Sequence, residues 1–332
     1  MSARAALGRH RKRGGSDEQM VPDAQFSSYY GQPVLKETVW GPDVPRYLFL
    51  GGLAGASSAL AAGAQLSGHQ ELARAAKTGA AGAISLSMAA LVHDLGRPAR
   101  FVNMLRVIKV TSPMSVGSWL LSAYTPLALT AAISAVTAKV PRTGLAATSA
   151  AAVLGPAVAA YTSVLLADTA APAWHDARRE LPYLFTGSAA AAAGGLGLLV
   201  VTLGRAGPAA RLAVLGAAAE LTAERLIDRR IGPAAEAYRT GKPGALMRAG
   251  QILATSGAVG AILGRRNRAV SALSGAALLA GSAVTRFGVF EAGRASARDP
   301  HYTIGPQRER ISARAEPLGR RNTVRSGSDH RG

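Results

Sequence analysis

The sequence contains no cysteine among its 332 residues. A chain without cysteine forms no disulfide bond and supplies no thiolate ligand to zinc or to an iron–sulfur cluster. Histidine is also scarce: of six, only His93 lies near a long apolar segment, so a haem held by two histidines inside a membrane is not expected. We therefore expect no metal site and no haem. Electrons that pass through this protein must enter or leave by another subunit.

Acidic and aromatic residues are few. The chain has 19 Asp and Glu against 38 Lys and Arg, which gives a formal net charge of +19, and only 5% of its residues are aromatic. Nucleic-acid binding requires a basic face, usually with interleaved aromatic side chains that stack on bases. Here 7 basic residues lie within residues 1–46 and 9 within residues 292–332, and aromatic residues do not interleave with them. We expect no nucleic-acid partner.

Long apolar segments dominate what is present. Hydrophobic residues make up 48% of the chain and charged residues 17%, below the roughly 25% typical of soluble domains. Apolar runs of about 20 residues can cross a bilayer, and in lipid they must be helical to satisfy their backbone groups. The sequence thus predicts an all-α integral membrane protein, a bundle of about eight transmembrane helices surrounded by membrane lipid. The predicted spans are 47–66, 78–93, 114–137, 145–167, 183–203, 209–227, 245–263 and 269–291.

The spans divide the chain into three parts. Residues 1–46 form a basic polar N-terminal tail, residues 47–291 the transmembrane domain, and residues 292–332 a basic C-terminal tail that we expect to be disordered. No apolar segment follows the basic N-terminus directly, so we expect no cleavable signal peptide. An even number of spans places both termini on one side of the cell membrane, and the basic tails favour the cytoplasm.

Ionisable side chains in or beside the spans are candidates for function because their burial in lipid is costly. Glu220 and Glu224 interrupt the sixth span, the weakest of the eight, and share one helix face because they are four residues apart. They could carry protons, pair with Arg225 or Arg286, or face the lipid headgroups. Aromatic residues at span ends are ordinarily part of the interfacial belt. They are Trp40, Tyr47, Trp119, Trp174 and Tyr183.

A polar stretch separates the second and third spans. It lies within "LVHDLGRPARFVNMLRVIKVTSPMSVGSW", residues 91–119, and contains Asp94, Arg97, Arg100 and Asn103. Alternation of the spans brings this stretch to the same membrane face as the start of the first span and the end of the sixth. A pocket there would have an apolar floor, aromatic walls and Arg, Asn and Asp side chains at its mouth. Such a pocket suits a lipid-soluble molecule with a polar head, such as a quinone.

Four stretches of the chain resemble the NrfD-like family, the integral membrane subunits of polysulfide reductases and related molybdoenzyme complexes. They are "YYGQPVLK…VWGPDVPRYLFLGGLAGAS", "DLGRPARFVNMLRVIKVTSPMSVGSW", "YTSVLLADTAAPAW…LPYLF" and "RFGVFEAGRASARDP". The resemblance runs from about residue 29 to residue 306. Its "GRP-x-RF" followed by "SPMS-x-GSW" is fairly specific, and the family fold agrees with eight spans.

The resemblance implies a quinone-reactive membrane anchor. Such a subunit binds menaquinone or menaquinol near the face where a ferredoxin-like iron–sulfur subunit docks. That partner connects the quinone to a catalytic subunit, often with a molybdenum or tungsten cofactor, in complexes of the polysulfide reductase or formate dehydrogenase type. In well-known family complexes the docking side faces the periplasm, whereas the basic tails of this chain favour the cytoplasm for the same side.

The resemblance also assigns roles to residues by their position. It places Asp43 and Tyr47 at the partner-facing edge of the quinone pocket. Arg97 and Arg100 would anchor the loop 94–113, and Trp119 would help to wall the pocket.

The proton acceptor for the quinol stays open at this point. Tyr161 is a candidate hydrogen-bond donor to a quinone carbonyl. Some family members carry a histidine near the start of the first span, and this chain has none there. Asp43, Asp94 and Glu224 all remain candidates for the acceptor.

Two other functions compete with the quinone hypothesis. A multi-pass transporter could use Glu220, Glu224 and Arg286 as an ion path, although no internal sequence repeat of the kind common in transporters is visible. A purely structural anchor would hold a partner without touching quinone. Whether the chain itself counts as an enzyme depends on which of these holds, since catalysis of the overall reaction would belong to another subunit.

Overall fold

The apolar spans fold into eight long helices, each of 20 to 31 residues. A computed structural model describes residues 35, 38, 40–97 and 99–304, and in this part of the chain there is no β-strand. The prediction of an all-α membrane bundle is confirmed. The helices are α1 (Asp43–Leu66), α2 (Gln70–Asp94), α3 (Pro113–Thr137), α4 (Pro141–Ala167), α5 (Leu181–Val200), α6 (Gly207–Arg230), α7 (Gly241–Leu263) and α8 (Arg268–Arg298).

Helix α6 differs from the other seven in its charge. Those seven are long and apolar enough to cross a membrane. Helix α6 is long enough but carries charged residues in its second half, as expected for the weakest predicted span. Glu220 and Glu224 are nevertheless buried inside the protein. The two glutamates of α6 are therefore turned inward, away from lipid, whereas its arginines are exposed.

Two helix ends lie farthest from their predicted positions. Helix α2 starts at Gln70 instead of residue 78, so that Arg74 and Lys77 belong to a helix and not to a loop. Charged residues are tolerated at the end of a membrane helix, where long side chains reach the headgroups. Helix α8 continues to Arg298, beyond the domain limit predicted at residue 291.

The eight helices pack as two groups of four. In the first group α1 packs on α2, α2 on α3, α3 on α4, and α4 back on α1. The second group repeats this closed order with α5, α6, α7 and α8. Contacts of α1 with α5 and α8, and of α4 with α5, join the groups. No visible repeat in the amino-acid sequence predicts this arrangement of two similar groups.

Small residues allow these helices to approach closely. Gly55 on α1 and Gly155 on α4 face each other so closely that a β-carbon on either would overlap the carbonyl oxygen of the other. Gly195 on α5 and Gly275 on α8 form a similar contact between helices of the second group. In lipid, where apolar surface gives no drive for association, such close van der Waals packing holds helices together.

One end of the bundle, which we call the site face, carries the loops 95–112, 168–180 and 231–240. Trp174 anchors it: the ring is fully buried, and its Nε1 donates a hydrogen bond of 2.7 Å to the Val289 carbonyl. Tyr238 donates to the Ala173 carbonyl at 3.0 Å. The interfacial-belt interpretation is therefore wrong for Trp174 and for Tyr47, which is also buried, because a belt residue lies at the surface. Tyr183, in contrast, is exposed.

Candidate functional site

A cavity opens at the site face within the first helix group, between α1, α2, α3 and α4. We call it the Asp94 pocket. Its volume is about 110 Å³, and Asp94, Tyr47 and Tyr161 supply polar groups in an otherwise mostly apolar lining. The lining comprises Trp40, Val44, Tyr47, Leu91, Asp94, Leu95, Met104, Met114, Ser118, Leu121, Tyr161 and Leu165.

Helices α1 and α2 position two of these polar side chains. Tyr47 lies one turn into α1 and is buried, while Asp94 is the last residue of α2 and lies against the backbone of Gly41. The Ser87 hydroxyl of α2 donates to the Tyr47 carbonyl of α1 at 3.0 Å. This bond helps to set the register of the two helices and so brings the phenol and the carboxylate to one cavity.

Tyr161 on α4 owes its place to a glycine on α3. A β-carbon on Gly117 would overlap the end of the Tyr161 ring, so only glycine leaves room for the phenol in this position. Ser118, next in the chain, is buried and donates to the Ser115 carbonyl at 2.9 Å. The "SPMSVGSW" stretch therefore contributes to the pocket mainly through Gly117 and Ser118.

Aromatic rings support the wall formed by Trp40. Its ring stacks on Trp174 with centroids 5.9 Å apart, and Trp174 lies 5.9 Å from Phe290 on α8. Since Trp174 is held by its hydrogen bond to Val289, this row fixes Trp40 against the rest of the protein.

Asp43 lies near the pocket but does not line it. One carboxylate oxygen pairs with Arg46 at 2.8 Å, and the other contacts His93 Nδ1 at 2.6 Å. The His93 contact ties the start of α1 to the end of α2. Both carboxylate oxygens of Asp43 therefore have side-chain partners, whereas the Asp94 carboxylate lies between the backbone of Gly41 and the pocket.

The loop residues predicted for the site lie outside the lining. Arg97, Arg100 and Asn103 are exposed, and Arg100 donates to the Leu95 carbonyl at 2.9 Å. Trp119 is 40% exposed, and its Nε1 donates to the Val107 carbonyl at 3.3 Å. These contacts hold the shape of the loop 95–112; they do not wall the cavity.

Glu224, the third predicted proton acceptor, lies in the second helix group. It lines a different cavity, between α6 and α7, together with Asp228, Arg239, Arg248 and Gln251 among others. We call it the Glu224 cavity. Of the three predicted acceptors, only Asp94 shares a cavity with Tyr47 and Tyr161.

A larger groove lies between α1, α4, α5 and α6, with a volume of about 420 Å³. Thr186 is the one polar side chain in its lining, which otherwise consists of Ala, Leu, Gly and Pro. A groove of this kind can hold a hydrocarbon chain, but it offers almost nothing to orient a polar ring. The Asp94 pocket is the better candidate for a molecule with a polar head.

Sequence analysis did not assign four residues that form or shape the Asp94 pocket: Gly117, Ser118, Met104 and Met114. Gly117 and Ser118 belong to the distinctive "SPMSVGSW" stretch, so that motif was a usable signal. The methionines gave no signal, because apolar residues are expected throughout a membrane protein. Among the described residues no group of three or more His, Asp or Glu could hold a metal ion.

Comparison with protein families adds to this geometry. The model of the family described as polysulphide reductase, NrfD, matches residues 33–226, from the region before α1 into α6. The chain belongs to the NrfD family. This match confirms the resemblance for the quoted stretches that lie within residues 33–226, and the stretch "RFGVFEAGRASARDP", residues 286–300, lies outside it. Members of the family are membrane subunits of quinone-linked oxidoreductases, and this chain is of that general kind. No curated protein matches the chain.

Proposed function

We propose that this chain is the quinone-binding anchor of a respiratory oxidoreductase complex, with the Asp94 pocket as its quinone site. Oxidation of a quinol releases two electrons and two protons, and a ferredoxin-like iron–sulfur partner would take the electrons. The convergence of Asp94, Tyr47 and Tyr161 on one cavity at the site face carries the proposal.

The residues of the Asp94 pocket would have different roles in quinone binding because their side chains differ in chemistry. The Tyr161 phenol is a hydrogen-bond donor for a carbonyl oxygen of the ring, and the Asp94 carboxylate can accept a proton from a ring hydroxyl. Val44, Leu91 and Leu165 exclude water and favour an apolar ring. Tyr47, which is buried on α1, provides a second phenol in the lining.

Binding requires the rim of the pocket to move. The cavity of about 110 Å³ is smaller than the roughly 300–1,000 Å³ of ordinary ligand pockets. Met104 and Met114 line it and are only partly covered, and methionine adapts easily to a new shape. We propose that these two side chains swing aside when the ring enters.

The loop 95–112 is the proposed contact for the iron–sulfur partner. It exposes the apolar side chains of Val107, Ile108 and Val110 beside the bases Arg106 and Lys109. An apolar patch rimmed by charge is typical of a protein interface. It lies next to the Asp94 pocket through Met104, so electrons would have a short path between partner and quinone. A catalytic subunit with a molybdenum or tungsten cofactor would complete the complex.

Gentle purification from native membranes tests this proposal. We expect menaquinone and an iron–sulfur subunit to accompany the protein, and the complex to oxidise a menaquinol analogue. Tyr161→Phe should raise the KM for the quinol, because it removes one hydroxyl and leaves the ring in place. Tyr183→Phe is the matched control, since Tyr183 is exposed and outside the pocket.

An intact protein that carries neither quinone nor iron–sulfur subunit would contradict the proposal and favour the transporter hypothesis. A complex that turns over quinol normally after Tyr161→Phe and Asp94→Asn together would favour a purely structural anchor.

A further inference from the structure

The core of the second helix group contains three ionisable side chains that the proposed function does not use. Glu220 and Glu224 on α6 are 1% and 5% exposed, and Arg286 on α8 is fully buried. They lie well inside the bundle, since Glu220 is ten residues before the end of α6, about 15 Å at 1.5 Å per residue. Buried ionisable groups at this depth are costly and mark functional sites by default.

Their hydrogen-bonding is incomplete within the described part of the chain. No hydrogen bond of standard geometry reaches the four carboxylate oxygens of Glu220 and Glu224 there, although the Ser188 and Thr285 hydroxyls lie near Glu220 and the Gln251 amide lies near Glu224. Arg286 donates from Nη2 to the Phe185 carbonyl at 2.7 Å and stacks on the Phe185 ring, while its Nε and Nη1 stay unbonded. A core built only for stability would pair these groups, because an unpaired polar atom in an apolar interior lowers the stability of the folded state.

The net charge of the cluster is unbalanced when all three groups are ionised. Glu220 lies in the field of the Arg286 guanidinium, which compensates one carboxylate. Ser188 and Thr285 are the polar neighbours of Glu220, and neither carries charge. Glu224 is left without a buried cation of its own. One proton bound to Glu224 would make the cluster neutral.

The Glu224 cavity gives water access to Glu224 but not to Glu220 or Arg286. The Glu224 cavity has a volume of about 310 Å³ and is lined towards the site face by Asp228, Arg239 and Arg248. Arg239 pairs with Asp228 at 3.0 Å, so the mouth is polar and charged. Glu220 and Arg286 do not line the cavity.

Arginines, an amide, a phenol and one paired carboxylate surround Glu224. Arg225 and Asp228 flank it on α6, Arg248 and Gln251 face it from α7, and Tyr238 faces it from the loop 231–240. Burial raises the pKa of the Tyr238 phenol, which stays a neutral hydrogen-bond donor to Ala173. Asp228 already has Arg239 as its partner.

We propose that Glu224 is a proton-binding site in contact with water from the site face, and that Glu220 with Arg286 is its fixed ionic counterpart deeper in the bundle. The site belongs to the second helix group and is separate from the Asp94 pocket in the first. Binding converts the Glu224 carboxylate and one proton from cavity water into a neutral carboxylic acid. The family match ends at residue 226, so Arg239, Arg248, Gln251 and Arg286 lie outside it.

The first test asks whether water reaches the cavity. The chain has no cysteine, so single-cysteine variants can be labelled without background. Gln251 lines the cavity, whereas its neighbour Ile252 is 67% exposed on the lipid side at the same depth. A charged methanethiosulfonate needs a thiolate in water, so Gln251→Cys in sealed vesicles should react more than about tenfold faster than Ile252→Cys, and only from the site face.

The second test asks whether Glu224 holds a proton, and it uses the native chain. A hydrophobic carbodiimide reacts with protonated carboxyl groups in apolar surroundings. Glu180 is the matched control, because it is also 5% exposed but pairs with Arg230 at 3.6 Å. Peptide mass spectrometry should find the adduct on Glu224 and not on Glu180, with less adduct as pH rises and no protection by sodium.

Each contrary result overturns part of the inference. Equal labelling of Gln251→Cys and Ile252→Cys, or of Glu180 and Glu224, would contradict the proton site. Protection of Glu224 by sodium at constant pH would assign it to a metal cation instead. Neither test uses quinone turnover, so the two proposals can fail independently.

Discussion

Asp94 is the carboxylate best placed to exchange a proton with a molecule in the Asp94 pocket. It shares that cavity with two phenols, whereas Asp43 is engaged by Arg46 and His93 and Glu224 lies in the other helix group. The three residues looked equivalent in the sequence, because each is an acidic residue near the same membrane face. Their neighbours across the bundle distinguish them.

Replacing Asp94 tests this distinction at the scale of one residue. Asp94→Asn keeps the size of the side chain but removes the proton acceptor, and we expect quinol turnover to fall by about 10²–10⁴-fold. Steady-state oxidation of a menaquinol analogue by the purified complex measures the effect. Asp43→Asn is the matched control and should keep near-normal turnover. An equal loss in both variants would contradict the assignment of the proton to Asp94 alone.

Gly117 is a second residue whose substitution should affect only the Asp94 pocket. In Gly117→Ala the new methyl group would overlap the Tyr161 ring, so the phenol must leave its place in the pocket. We expect a higher KM for the quinol with little change in thermal stability, since Tyr161 lies at the open end of the bundle. Gly82→Ala, where a β-carbon meets nothing within 4 Å, serves as the control. An unchanged KM would mean that Tyr161 does not contribute to quinone binding.

At the scale of helices, glycine contacts determine how closely the first group packs. Gly55 and Gly155 bring α1 and α4 together along the same helices that carry Tyr47 and Tyr161. The spacing of these helices therefore influences the width of the pocket. Sequence composition alone does not reveal which of the 38 glycines have this task.

Substitution of Gly155 makes this packing measurable. A methyl group in Gly155→Ala would overlap the Gly55 carbonyl, and we expect a loss of about 1–3 kcal/mol in the free energy of unfolding. Denaturant unfolding in detergent, followed by circular dichroism, gives the value. Gly82→Ala on the lipid side of α2 should be neutral or stabilising, because alanine favours the helix over glycine. Similar losses in both variants would rule out the proposed contact.

At the scale of the whole molecule, the two helix groups separate two kinds of chemistry. The first group holds the Asp94 pocket, and the second holds the Glu224 cavity. Both open towards the site face, which also carries the loop 95–112. The two cavities are therefore separate within the bundle but open at the same end of it.

We propose that the basic tails are cytoplasmic and that the site face lies on the same side of the membrane. Lys109→Cys in the loop 95–112 should then react with a membrane-impermeant thiol reagent in inside-out vesicles. Arg265→Cys, at the opposite end of the bundle, should react in right-side-out vesicles. Both side chains are exposed. The reverse pattern would place the docking face outside the cytoplasm, as in well-known family complexes.

Hydropathy and length determined the membrane class, the all-α fold and the number of long helices, because in lipid each span must satisfy its own backbone and needs no partner to be a helix. Distinctive polar stretches also indicated the family and the pocket residues Tyr47, Asp94 and Tyr161. The tertiary structure decided which side chains meet. Arg97, Arg100, Asn103 and Trp119 turn outward and Glu224 joins another cavity, because the rotation and packing of each helix depend on contacts between helices. Those contacts are long-range in sequence and leave no periodic pattern to read.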